Sequence, residues 1–420
     1  MPASKPDPPL ADVRMRGFAV RTTVEAAVAW IDSVLPAFAE LATEQVGLFD
    51  AARRVLARDV TSGVNVPNFA RSMMDGFALR AEETYGASAY NRLSLRILGT
   101  CLPGVPFPSA VATGETVRIM TGAPLPIGTD AVLPVEETEL DGQSLLVLGP
   151  VSSGKHVGQV GEDIRSGDVV QPAGRALRPQ DIGVLSSIGV REIPVVRRPR
   201  VRILITGNEL LPAGTPPEGF RIADANGPML AALVARDGGE PILSDIIPDD
   251  PEAIRTAFLQ PADIVLVSGG SSVGQEDFVP QLLAEHGELA VHGIAMRPSS
   301  PTGMGRLHGR LVFLLPGNPV SCLCAYDFFA GRAIRALGGR SRDWPYRRVR
   351  VRLSRKLVST VGRVDYARVI VQGDAAEPLA VSGASILSST TRADGFVIVP
   401  ADSEGYPPGA EVDVFLYSFW

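Results

Sequence analysis

The sequence predicts a multidomain protein of α/β plus β-rich class, with a central open, mainly parallel α/β sheet, a β-rich domain and a small C-terminal β domain. Three observations carry the prediction. Between residues 198 and 337 short apolar runs alternate with amphipathic segments, as in a parallel sheet covered on both faces. Between 61 and about 168, β-branched runs are broken repeatedly by Gly and Pro. Beyond residue 345 hydropathy alternates with period two: Arg348, Arg350 and Arg352 interleave with Val349, Val351 and Leu353, so one strand face is solvated. A length of 420 residues is enough for about three domains. The boundaries that follow are 20–60 with 168–197 as a discontinuous helical linker domain, 61–167 β-rich, 198–345 α/β, and 346–420 C-terminal.

Taken in order, residues 1–20 form an arm without period. Thr22-Thr-Val-Glu25 reads as a capping box, with Thr22 accepting from the amide three residues on. Val24, Val28, Ile31 and Leu35 then recur at helical spacing until Pro36. This helix is expected to pack with 168–197. A second helical pattern runs from Leu48 to Leu56. Strands are expected at Glu115–Met120 and Asp130–Pro134. In the α/β region the expected strands are Val201–Thr206, Ile242–Ile247, Ile264–Ser268 and Leu311–Leu315. The helices between them start at Asn226 (stopping at Gly238-Gly239), at Pro251 behind an Asp250 cap, near Val279 and near Pro319.

Composition excludes several functions. Forty Lys and Arg against 46 Asp and Glu leave a net charge of −6, which argues against a nucleic-acid partner. The longest apolar runs are far too short to cross a membrane. The first residues carry no apolar run for a signal peptide, so a cytoplasmic location is expected. The three cysteines, Cys101, Cys322 and Cys324, fit a reducing compartment and read as small apolar side chains.

In an open parallel sheet, ligands bind beyond the carboxyl ends of the strands. The segments there are Thr206-Gly-Asn-Glu209, Pro248-Asp-Asp250, Gly269-Gly-Ser-Ser-Val-Gly274 with Asp277, and Pro316-Gly-Asn-Pro319. The glycine loop leads into a helix, and exposed amides there favour phosphate. It is neither a Walker A loop nor Gly-x-Gly-x-x-Gly. Glu209, Asp249 and Asp277 follow three different strands at one sheet edge. Carboxylates beside an anion repel it unless a cation intervenes, so the pattern suggests Mg²⁺. Turns of the β-rich segment add Asp75, Thr121 and the Glu162-Asp163 pair.

This combination resembles the molybdopterin molybdenumtransferases, the MoeA family that includes the C-terminal domain of gephyrin. The stretches that carry the resemblance are Ser72-Met-Met-Asp-Gly-Phe-Ala78, Val117-Arg-Ile-Met-Thr-Gly-Ala-Pro124, Gly161-Glu-Asp-Ile164, Thr206-Gly-Asn-Glu-Leu210, Ser268-Gly-Gly-Ser-Ser-Val-Gly274 and Leu315-Pro-Gly-Asn-Pro-Val320. Gly362-Arg363 to Arg368 and Ser388-Ser389 to Gly395 also fit, and the likeness runs from about residue 20 to 415. It implies a sheet of molybdopterin-binding type and insertion of molybdenum from molybdate into adenylylated molybdopterin. AMP is released in a Mg²⁺-dependent step. It also implies a homodimer whose cleft draws on both subunits, and contact with molybdopterin adenylyltransferase. By motif match the catalytic positions are Asp75, Thr121, Asp163, Glu209, Asp249 and Asp277, with Glu209, Asp249 and Asp277 on the metal. The substrate-binding positions are Gly269, Gly270, Ser272, Gly274, Arg297, Ser300, Pro316, Gly317, Asn318, Pro319 and Arg368.

The chain departs from the family at three places. A Lys-Pro-Gly-Lys-Pro segment is replaced by Arg297-Pro-Ser-Ser-Pro301, so Ser300 stands at a lysine position. Thr302-Gly-Met-Gly305 stands where the family has Phe-Ala-Phe-Gly, and Asn208 replaces the Asp of Gly-Asp-Glu-Leu. Two other readings follow: a paralogue that binds molybdopterin or its metal-loaded form without inserting metal, and pyrophosphatase chemistry on the same α/β unit. The retained acids of the β-rich domain disfavour the latter.

Overall fold

The computed structural model describes residues 20–38, 42–270, 278–380 and 383–417. The chain divides into two compact units, residues 45–195 and the remainder.

In the larger unit, helix α1 (Val24–Val34) is capped by Thr23, whose hydroxyl accepts from the Ala26 amide at 3.1 Å. The cap is therefore one residue later than the sequence suggests. Thr22 is held extended by a backbone pairing with the segment at Ile294: its N–H donates to Gly293 O, and Ala295 N–H donates to its carbonyl. Ala27 and Ile31, both fully buried, join the core that also holds Val201, Leu266 and Phe313. Arg332 makes two hydrogen bonds to Asp32, at 2.9 and 2.7 Å. The helix thus packs on the α/β region rather than on 168–197. Its spacing specifies a buried face but not the surface that face meets.

The central sheet contains β1 (Arg200–Ile205), β2 (Glu240–Leu243), β3 (Ile264–Ser268), β4 (Glu288–His292), β5 (Gly303–Leu307) and β6 (Arg310–Leu315), in the order β2-β1-β3-β6-β5-β4. The first four strands are mutually parallel; β5 and β4 run antiparallel at one edge. That edge pair is poorly marked in sequence, because Glu288-Leu-Ala-Val-His292 and Gly303-Met-Gly-Arg-Leu307 carry few β-branched residues. Residues of alternate parity feed two cores. Val201, Ile203, Ile205, Phe313 and Leu315 pack on one face with α2 (Asn226–Arg236), while Leu204, Val265, Val267, Val312 and Leu314 face α3 (Pro251–Phe258) and α4 (Val279–His286). Asp250 caps α3 as expected, its side chain accepting from the Ala253 amide at 2.9 Å. Helix α5 (Pro319–Ala325) follows β6.

Behind the sheet lies a buried ionic cluster. Asp237 and Asp327 are fully buried and are met by Arg236 and Arg335 at 2.9–3.0 Å. Tyr326 and Tyr346 donate their hydroxyls to Asp237 and Asp327. Burial drives Asp327 above the ordinary carboxylate value, against the pull of Arg236.

The C-terminal region is a closed barrel. Strands Arg347–Leu353, Val364–Gln372, Ala375–Ala380, Gly395–Val399 and Glu411–Leu416 pair in a ring, which leaves no free edge. Arg348 and Arg350 are exposed and reach Asp413 on the neighbouring strand, so this face is solvated as its alternation predicts.

The 45–195 unit holds a mixed six-stranded sheet: Ala131–Pro134, Gly76–Leu79, Glu115–Ile119, Leu93–Cys101, Ser144–Val147 and Thr138–Asp141, in that order. A separate core joins Ala51 and Leu56 to Leu177, Leu185 and Ile193, which brings 45–60 and 168–195 together. Residues 48–56 are not an α-helix. After a 3-10 turn at Leu48–Asp50, Arg53 turns left-handed (φ 65°), and Val55 and Leu56 make bridges to Ala176 and Val195. Among the described residues no helix is long and apolar enough to cross a membrane.

Candidate active site

In this sheet β2 and β3 flank β1, so the crossover direction reverses between β1 and β3. A crevice is expected at such a reversal. A cavity of about 870 Å³ opens there, lined by Thr206, Gly207 and Glu209 beyond β1, Asp249 beyond β2, Ser268 to Gly270 beyond β3, and Gly317 to Pro319 beyond β6. The described residues of all four loops singled out from sequence therefore converge. Glu209 folds over Gly207, whose φ of 152° favours glycine at this turn. Asn208 and Asp249 clamp the first two loops together. Asn208 N–H donates to the Asp249 carboxylate at 3.1 Å, and Asp249 N–H donates to Asn208 Oδ1 at 3.3 Å.

Two residues missed in sequence also line this cavity. Asp224 accepts from the amides of Asn226 and Gly227 at 2.8 and 2.9 Å, which orients the start of α2. Asn226 donates through Nδ2 to Ser268 Oγ and to the Gly317 carbonyl. An Asp two residues before a helix-starting Asn was the available signal; it reads equally well as a turn.

A second cavity of about 760 Å³ lies beside the first, between the α/β region and the barrel. Arg297, Ser300, Pro316, Thr360 and Arg363 line it, and Arg21 enters from the segment before α1. Asn318 lines both cavities. Arg297 is held by the fully buried Asp365, with Nε 3.1 Å from Oδ1 and a second contact through Nη2. Arg363 Nε is 3.6 Å from the same carboxylate. Ser300 Oγ is buried without a hydrogen-bond partner among the described residues.

The remaining expected positions are distributed as follows. Asp75 and Thr121 meet in the 45–195 unit: the Thr121 amide and hydroxyl both donate to Asp75 Oδ1 at 2.7 Å. These bonds, the amide first, hold the Asp75 carboxyl below its ordinary value. Asp163 is exposed in a separate turn, its N–H donating to Val66 O at 3.1 Å, and shares no hydrogen bond with Asp75 or Thr121 among the described residues. Arg368 is fully buried in the barrel strand Val364–Gln372 and lines neither cavity, so the structure does not bring it to the site expected for it. Ser272, Gly274 and Asp277 lie outside the described residues. Cys101, Cys322 and Cys324 are buried; burial pushes the Cys322 thiol up to about 12, away from nucleophilic use.

No cluster of three metal-ligating side chains occurs among the described residues. Glu209 and Asp249 nevertheless offer hard oxygens beside a glycine-lined pocket. Mg²⁺ characteristically takes one or two carboxylates and completes its shell with substrate phosphate and water. The donor set therefore fits that ion.

Fold and site together define an α/β sheet-edge binding protein with a β-rich module before the sheet and a barrel after it. Residues 22–189 match the family described as "MoeA N-terminal region (domain I and II)", 202–336 "Probable molybdopterin binding domain", and 350–417 "MoeA C-terminal region (domain IV)". The chain is 30% identical to the molybdopterin molybdenumtransferase of Haemophilus influenzae over 381 residues, which is 89% of this chain and 93% of that one. It is 30% identical to the enzyme of that name from Staphylococcus aureus strain COL, over 88% of this chain and 90% of that one. The solved structure of the molybdopterin biosynthesis MoeA protein from Pyrococcus horikosii superposes with a TM-score of 0.82 at 31% identity, covering 96% of this chain and all of that one. The chain belongs to the MoeA family, and with it to the transferases of molybdenum cofactor biosynthesis.

Proposed function

We propose that this protein inserts molybdenum from molybdate into adenylylated molybdopterin and releases AMP. The observation that carries the reading is the pairing of two unlike cavities across Asn318, one edged by carboxylates and glycine amides, the other by arginines. The glycine loop and Pro316–Pro319 suit the phosphate and pterin portions of the substrate. The arginine-lined cavity suits an oxyanion. Glu209 and Asp249, with Asp277, would hold Mg²⁺, which when bound neutralises phosphoanhydride charge. The protein's own part is to orient both substrates and to keep water from the dithiolene. A homodimer, a cytoplasmic location and a contact with molybdopterin adenylyltransferase belong to the same reading.

A neutral Ser300 and an Arg297 already paired with Asp365 favour a second reading, cofactor binding without insertion. One experiment separates the two. Molybdate-dependent AMP release from adenylylated molybdopterin supports insertion; binding of molybdopterin with no AMP release under any molybdate concentration supports the alternative.

A further inference from the structure

Two residues lining the carboxylate-edged cavity carry polar atoms that no described residue pairs with. Thr206 is 3% exposed, Asn226 is 7% exposed, and neither Thr206 Oγ1 nor Asn226 Oδ1 has a hydrogen-bond partner among the described residues. Buried polar atoms are nearly always paired, so two orphans on residues that line one cavity point to a ligand. The orientation of the Asn226 amide is fixed from its other end: Nδ2 donates to the Gly317 carbonyl at 2.7 Å and to Ser268 Oγ at 2.8 Å. A carbonyl only accepts, so the nitrogen faces it and Oδ1 remains as a pure acceptor. Thr206 Oγ1 lies under the glycine loop, 2.7 Å from where a Cβ on Gly269 would sit and 3.3 Å from one on Gly270. The strand ends at β1, β3 and β6 and the start of α2 thus bring both residues to the lining of the same cavity, with the two atoms just beneath its surface.

We infer that Thr206 and Asn226 form a pair that reads a hydrogen-bond donor on the ligand. Asn226 Oδ1 accepts an N–H or O–H; Thr206 Oγ1 either accepts a second or donates to a neighbouring acceptor. The inference rests on the adenylylated pterin proposed above, which offers such groups in two places. The amino and lactam N–H groups of the pterin are one, and the ribose hydroxyls of the adenylate are the other.

The test uses the full-length protein and two probes, anaerobically prepared molybdopterin and AMP, titrated separately by calorimetry. Thr206→Val keeps the side-chain shape and removes the hydroxyl. Because that hydroxyl has no partner among the described residues, the melting temperature should hold or rise. Affinity for the probe that touches it should fall by about tenfold, the scale of one hydrogen bond left unmade. Thr206→Ser should retain most of the affinity. Loss confined to molybdopterin assigns the pterin edge; loss confined to AMP assigns the ribose. Asn226→Ala should weaken the same probe and also lower the melting temperature, since its ties to Ser268 and Gly317 go too. Unchanged affinity of Thr206→Val and Asn226→Ala for both probes overturns the inference while leaving the substrate reading intact. A Thr206→Val protein that melts several degrees lower also overturns it, because the hydroxyl would then be structural. Failure of the unmodified protein to bind either probe overturns the substrate reading, and this inference with it.

Discussion

The Asp75 carboxyl is held low chiefly by Thr121, with a smaller pull from the charge of Arg118. The Thr121 amide and hydroxyl both donate to one carboxylate oxygen, so the charged form is favoured and the group titrates below the ordinary carboxylate value. A folded pKa below the unfolded one contributes stability above the unfolded value, and that contribution is lost as pH falls through the folded value. Thr121→Val deletes the hydroxyl bond and keeps the amide. Asp75 should then titrate higher, nearer the ordinary value, in a carboxyl NMR titration; an unmoved titration would show that the amide alone sets it. Ser300 makes the opposite case, a buried hydroxyl without a partner among the described residues, in an arginine-lined cavity. A charge-assisted contact exceeds a neutral one by about 1 kcal/mol. Ser300→Lys should therefore lower the molybdate concentration for half-maximal AMP release several-fold, and more at low salt. An unchanged molybdate dependence would mean that position 300 does not face the oxyanion.

At the scale of elements, two features test how the larger unit is held. Helix α1 inserts Ile31, fully buried, into the core of the α/β region. Ile31→Ala should cost about 2–5 kcal/mol in chemical denaturation, the usual range for a truncated core aliphatic. A loss below ~1 kcal/mol would mean that the helix is only loosely seated there. The ionic cluster behind the sheet is the second feature. Asp237 takes contacts from Arg236, Arg335 and Tyr326 at 2.9–3.1 Å with no exposed surface. Removing it by Asp237→Ala would leave the nearly fully buried Arg335 without its carboxylate, while the largely buried Arg236 would keep only Asp327. A loss of about 3–5 kcal/mol follows from breaking a buried pair on one side. A near-neutral outcome in the same denaturation assay would show that water reaches the cluster.

For the whole molecule the expectations follow from the proposed reaction. Light scattering should give a mass twice that of one chain, as a homodimer requires; a monomer at working concentration would remove that part of the proposal. Chelation by EDTA should abolish AMP release, and added Mg²⁺ should restore it. The carboxylates provide the handle: Glu209→Gln and Asp249→Asn keep shape and remove one charge each. Each variant should need more Mg²⁺ for half-maximal activity while its melting temperature changes little. Release that survives both chelation and these substitutions would argue against a metal at the sheet edge.

The sequence by itself determined the parts of this protein that depend on local chemistry. Ile264–Ser268 is a strand because every residue is apolar or small and the segment is short enough to be buried on both faces. The Asp250 cap, the alternating Arg348–Leu353 strand and the four loops at one sheet edge were legible for the same reason: period and capping are properties of neighbours in the chain. The ordered motifs also sufficed for the family. Tertiary structure alone decided what each face meets. The partner of α1, the passage of the cap from Thr22 to Thr23, and the bridges that replace a helix at 48–56 all depend on contacts remote in sequence. The same is true of the site. Asp224 and Asn226 resemble any turn before a helix until Ser268 and Gly317 close on them. Arg368 matches a family position, yet the barrel encloses it completely. Burial and the pairing of polar atoms are set by all the neighbours in space, and one-dimensional spacing specifies only those few residues away.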